Sequence, residues 1–244
     1  MEYSERAIDK ELDELLPELP AIALDGPKGV GKTETCRRRA GSVVALDRDR
    51  DREVFVADPE RITRITPPVL VDEWQLAPSS WDVVRRAVDD GAPAGSFLLT
   101  GSSTPLAKAP GHSGAGRIVS LRMRPMSFPE RNLENPTVGL GELLGGGARI
   151  AGESGLGLAD YAEEITRSGL PGIRGLGERA RRLQLDGYLT RITRRVLDGD
   201  GEGMAPRGES LGKWLRAYAA ATSTTAAFEV IRDAATPGDV DAMA

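Results

Sequence analysis

The sequence predicts an α/β fold: a parallel, five-stranded sheet covered by helices on both faces, followed by a smaller helical part. Three observations carry this. Five short apolar runs (21–24, 43–46, 69–71, 97–99 and 117–121) are separated by helical patterns or long connections, as buried parallel strands are. The first run passes at once into a glycine-rich loop, Gly26-Pro-Lys-Gly-Val-Gly-Lys-Thr33. Beyond about residue 135 the strand-like runs stop and helical periodicity takes over.

In chain order, residues 4–16 read as a charged helix with Ile8, Leu12, Leu15 and Leu16 on one stripe, ended by Pro17 and Pro20. Residues 33–40 form a helix whose Arg37, Arg38 and Arg39 complement the negative end of its dipole. The second run ends in Asp47, and residues 48–53 alternate in charge, as a solvated loop or a helix start does. The third follows Pro67-Pro68 and ends in Asp72-Glu73. Ser79 and Ser80 are N-cap candidates for a helix carrying Trp81, Val84 and Val88, broken by residues 91–95. The fourth run exits into Thr100-Gly-Ser-Ser103. Residues 139–157 are glycine-rich and read as a linker or mobile loop. A helix over 158–168 stops at Gly169-Leu-Pro-Gly172. Leu185, Tyr188, Leu189, Ile192 and Val196 share one helical face, and Leu211, Trp214, Leu215 and Tyr218 another. A last helix near 225–235 ends at Pro237-Gly238. The predicted domains are an acidic N-terminal helix (1–16), a nucleotide-binding domain (17–150) and a helical part (151–244).

Composition narrows the chemistry. The formal charge is −5 over 244 residues, and residues 1–20 supply all of it with seven acidic side chains against Arg6 and Lys10. The remainder is neutral, so global charge gives no nucleic-acid footprint. Cys36 and His112 are the only residues of their types, which excludes intrachain disulfides and zinc sites built from several Cys and His. His112 reads as a loop residue. No apolar run approaches the roughly 18 residues that span a bilayer, and the acidic start lacks a signal-peptide pattern. A cytoplasmic protein without membrane contact is the expectation.

Residues 26–33 fit the spacing G-x-x-x-x-G-K-[ST]. Glycines let a backbone wrap a phosphate with its N–H groups pointing inward, and a helix starting there adds its positive end. The expected nucleotide-binding segment comprises Gly26, Pro27, Lys28, Gly29, Val30, Gly31, Lys32, Thr33 and Glu34. Lys32 is assigned to the β- and γ-phosphates and the Thr33 hydroxyl to magnesium. Asp72, ending a buried strand, is the second magnesium residue, acting through a water. Glu73 is the candidate base for the attacking water. Among the strand-end hydroxyls Ser102 is the first candidate to sense the γ-phosphate, with Thr100 and Ser103 as alternatives. Arg117 closes a glycine-rich stretch and is a candidate for transition-state charge, in cis or toward a neighbouring subunit; a solvated arginine is the competing reading. Arg179, Arg181, Arg182, Arg191, Arg194 and Arg195 read first as the wet side of amphipathic helices, and second as contacts to nucleic-acid phosphates.

Together with these motifs, Val69-Leu-Val-Asp-Glu-Trp-Gln75, Gly116-Arg117, Met126-Ser-Phe-Pro-Glu130 and Gly169-Leu-Pro-Gly172 make the chain resemble a group of bacterial and archaeal AAA-type ATPases. Members have an N-terminal AAA domain and a C-terminal domain of unknown function that resembles a winged helix. The resemblance covers most of residues 17–235. It implies an αβα sandwich with strand order 5-1-4-3-2, Walker B roles for Asp72 and Glu73, and a sensor hydroxyl at Ser102 or Ser103. It also implies ATP and Mg2+ as ligands. DNA or a protein partner is expected to meet the C-terminal helices, and a homo-oligomer is a further expectation. Such proteins continue beyond the position of Ala244, so the helical part is expected to be incomplete. Three functions compete: an ATPase coupled to conformational change, a nucleotide-gated regulator with little turnover, and a small-molecule kinase. The acidic pair Asp72-Glu73 disfavours the last.

Overall fold

The computed structural model describes residues 3–101, 115–133, 137–147, 149–198 and 205–236. The chain divides into two compact units, Met1–Gly175 and Leu176–Ala244.

The first unit is built on one parallel sheet. Its strands are β1 (Ala21–Asp25), β2 (Ser42–Ala45), β3 (Val69–Asp72), β4 (Phe97–Gly101) and β5 (Val119–Arg122). They lie in the order β2-β3-β4-β1-β5, and every pairing is parallel. This is a P-loop αβα arrangement with the strand order 5-1-4-3-2. The central strands β1, β3 and β4 are buried along their whole length, which explains their unbroken apolar runs. Val69, Val71, Phe97 and Leu99 pack on one face with Leu46, Phe55, Ile62, Trp81 and Val84. Each such side chain contributes about 1.5–3 kcal/mol on burial. Parallel strands all end at one edge of the sheet, so Asp25, Asp72 and Thr100 all stand along that edge.

The flanking helices are α1 (Ala7–Leu15), α2 (Lys32–Arg37), α3 (Asp49–Ala57) and α4 (Ser79–Asp89). The charge-alternating stretch after Asp47 is therefore the start of α3, which buries only Phe55. In α4 the N-cap position is Pro78, and Ser79 and Ser80 fall inside the first turn. Ser80 is buried there, its hydroxyl reaching the Trp74 carbonyl at 3.4 Å.

The acidic helix α1 packs within this first unit. Leu12 is fully buried, and Arg39 beyond α2 forms ion pairs with Asp9 (2.7 Å) and Asp13 (2.6 Å). The glycine-rich stretch after residue 139 contains the short helix α5 (Leu140–Leu144), and α6 (Leu158–Arg167) and α7 (Pro171–Arg174) follow. Glu164 of α6, almost fully buried, is held by Arg131 (3.1 Å) and Arg174 (3.2 Å).

The second unit consists of α8 (Glu178–Asp198), α9 (Ala205–Ala221) and α10 (Phe228–Ala235), with α9 touching both others. Trp214 stacks on Phe228 with ring centroids 5.8 Å apart. No strand occurs among its described residues. The side chains of Arg194 and Arg195, and residues Pro237 and Gly238, lie outside the described residues. No helix among the described residues is long and apolar enough to cross a membrane.

Candidate nucleotide-binding site

β1 ends at Asp25, residues 26–31 form the loop, and α2 begins at Lys32. Two glycines are dictated by geometry. Gly26 has φ +149°, and a Cβ there would lie 2.3 Å from the Met123 carbonyl oxygen. Gly31 occupies the N-cap of α2 at φ +111°, a left-handed conformation that costs other residues energy.

Lys32 is buried, and its Nζ donates to the carbonyls of Gly26 (2.8 Å) and Pro27 (3.0 Å). Burial pushes its pKa down, while the carboxylates of Glu73, Asp72 and Asp25 oppose that shift. The ammonium is thus anchored on its own loop. Lys28 and Glu34 are exposed.

Asp72 is where the site converges. The pairing of β3 sets it level with Ala45 and Thr100. Its Oδ1 accepts from the Thr33 hydroxyl at 2.8 Å and from the Thr100 hydroxyl. Thr100, an alternative in the sequence reading, is the strand-end hydroxyl that the structure brings to Asp72. Ser102 and Ser103 lie outside the described residues.

Glu73 follows in a left-handed conformation, φ +54°. Its Oε2 accepts from the Gln75 side-chain amide. Trp74, next in the chain, is buried against Trp81 with ring centroids 4.9 Å apart. Room for it comes from Gly101, where a Cβ would lie 2.5 Å from the indole Nε1.

Arg117 is not brought to this site. It ion-pairs with Asp89 at the end of α4 (2.7 Å). The register Ile22↔Val119 sets Arg117 level with residue 20. Five rises of about 3.3 Å then separate it from Asp25, the last residue before the loop, roughly 17 Å along the strand, beyond an arginine's reach. Arg117 precedes a parallel strand and the phosphate loop follows one, so the structure does not bring the two together within the chain. At the loop end of β5 stands Arg122, level with Asp25.

Sequence reading missed Asp25. Its carboxylate is buried, its Oδ1 has no hydrogen-bond partner among the described residues, and burial raises its pKa against the opposing charges of Arg122 and Lys32. The signal was present: an acid ending an otherwise apolar run, as with Asp72. Arg6 was missed too. It is buried and donates to the carbonyls of Val30 (2.8 Å) and Arg124 (2.7 Å), and a lone arginine among acids gave no hint of that.

Residues 18–132 match the family model of an AAA domain. The match supports an AAA-type P-loop ATPase family for this stretch, and nucleotide binding with it. The AAA match holds all five strands, the loop, Asp72, Glu73 and Thr100, and leaves the second unit outside. No curated protein matches the chain.

Proposed function

We propose that the chain binds ATP on residues 26–34 and hydrolyses it with magnesium. The observation that carries this is the convergence of the Thr33 and Thr100 hydroxyls on Asp72, beside the buried Lys32 and next to Glu73. Oxygen donors of this kind suit magnesium, which binds through one or two protein ligands together with phosphate oxygens and water. Thr33 and Asp72, already within hydrogen-bond distance of each other at the end of the loop, are the residues that would hold it. When bound, the ion supplies charge neutralisation at the phosphates. Lys32 exchanges the loop carbonyls for phosphate oxygens, and the Gly26–Gly31 backbone supplies N–H donors. Glu73 accepts the proton of the attacking water, and Thr100 holds Asp72 in orientation.

Phosphate release by wild type and by Glu73→Gln tests this. The variant retains nucleotide binding and loses about 10²–10⁴-fold in rate, the usual contribution of a general base. Equal rates would remove Glu73 from that role. Absence of ATP binding by wild type in magnesium would end the whole reading. A second reading, a nucleotide-gated regulator with little turnover, is favoured by the hold of Gln75 on Glu73. It requires slow phosphate release by wild type and a faster rate in Gln75→Ala.

A further inference from the structure

We infer that Arg6, a residue of the N-terminal segment outside the phosphate-loop motif, is a positioning residue that sets the Gly31 N–H for nucleotide phosphate. The inference rests on the nucleotide reading above.

The geometry starts at one peptide plane. Arg6 Nη1 donates to the Val30 carbonyl at 2.8 Å. In a planar trans peptide the carbonyl and the following N–H point in opposite directions. Pinning the Val30 oxygen on Arg6 therefore aims the Gly31 N–H away from Arg6. That N–H has no acceptor among the described residues. Arg6 also closes on Gly31 itself, its Nη1 only 3.5 Å from where a Gly31 Cβ would lie. Anion-binding loops work by holding successive N–H groups toward one centre, and a freely turning peptide would lose one of them.

The guanidinium is fixed on every side. Its Nη2 donates to the Arg124 carbonyl at 2.7 Å and its Nε to Glu130 at 3.1 Å. Glu130 is held in turn by the N–H groups of Ala7 (2.7 Å) and Ser127 (2.6 Å) and by the Ser127 hydroxyl (2.8 Å). The Arg6 N–H donates to Asp9 at 2.7 Å, and Asp9 also receives the Tyr3 hydroxyl at 2.6 Å. Tyr3 reaches the Thr35 hydroxyl, one turn into α2, at 3.0 Å. The segment thus grips the loop just before α2 and again inside it. A lysine offers a single ammonium and cannot reproduce the planar fork that spans two carbonyls and a carboxylate.

The test is a fluorescence titration with a labelled ADP in magnesium on the full chain, for wild type, Arg6→Lys, Arg6→Ala and Asp13→Ala. Asp13→Ala removes an α1 contact to Arg39 that touches no loop carbonyl. Unfolding midpoints without nucleotide are measured alongside. The expected result is a loss of affinity of about tenfold or more in Arg6→Lys, the effect of one misaimed hydrogen bond. Asp13→Ala stays within about twofold, as a surface pair should. KM for ATP rises in Arg6→Lys while kcat at saturation is nearly kept. Folded Arg6→Lys that binds ADP as wild type does would overturn the inference, whatever its midpoint. Should Arg6→Ala fail to fold, Arg6→Lys alone decides. Wild type that fails to bind ADP overturns the nucleotide reading instead. Wild type that binds without turnover overturns only hydrolysis, and the affinity comparison still judges Arg6.

Discussion

Asp72 accepts two hydroxyls on one oxygen, from residues 39 and 28 positions away along the chain. A buried carboxylate needs such donors to stay oriented. Thr100→Val removes one at nearly constant shape, so turnover is expected to fall about tenfold with little change in ADP affinity. A steady-state phosphate assay with an ADP titration checks it. At this scale the sequence pointed to Lys32 and Thr33, whose spacing has chemical meaning by itself, and to Asp72 and Glu73, which gain it only as a strand-end acidic pair beside that loop. It pointed to Ser102 before Thr100, because nothing in Thr-Gly-Ser-Ser says which hydroxyl stands level with Asp72. The β3–β4 register decides that, and register is a property of two strands.

At the scale of elements, the apolar runs located all five strands. A strand buried along its whole length, as β1, β3 and β4 are, reads as an unbroken apolar run. The less buried β2 and β5 showed through shorter or alternating apolar positions. The helix start after Asp47 was ambiguous because α3 buries a single side chain and so shows little periodicity. Arg117 was drawn toward the site by its glycine-rich neighbourhood, although strand direction alone puts it at the far edge. One tight approach between elements is directly testable. Gly101 of β4 lies against Trp74, and an added Cβ would meet the indole nitrogen at 2.5 Å and the Gln75 Oε1 at 2.7 Å. Gly101→Ala is expected to cost about 1–3 kcal/mol, the range for overpacking, read as a shift in denaturant midpoint. It should also lower turnover, since Trp74 and Gln75 flank Glu73.

At the scale of the molecule, the first unit is tied together by contacts that join distant parts of the chain. Glu130 accepts from Ala7, more than a hundred residues earlier. Burial alone would raise its pKa, but the bonds from Ala7 and Ser127 and the Arg6 charge hold it below the ordinary glutamate value. The sign follows: between the folded and unfolded values the unfolded chain binds more protons, so stability rises with pH there. The contribution is complete above about pH 4.3 and is lost as pH falls through the folded value. Glu130→Gln should therefore flatten the acid limb of a midpoint-versus-pH curve and lower its plateau. No periodicity or spacing within residues 1–16 announces these long-range partners, which is why the segment read only as a charged, acidic helix.

The pair Trp74 and Trp81 has a practical consequence. The chain has three tryptophans, and only Trp214 lies in the second unit. Trp214→Phe would leave an indole couple, one ring of it adjoining Glu73, as the only tryptophans, excited apart from the tyrosines at the red edge of aromatic absorption. The protein then carries a built-in optical gauge of its own acidic turn. Mixing it rapidly with magnesium and ADP should change that emission in step with occupancy, and Glu73→Gln should keep the change while removing any slower phase that follows turnover with ATP.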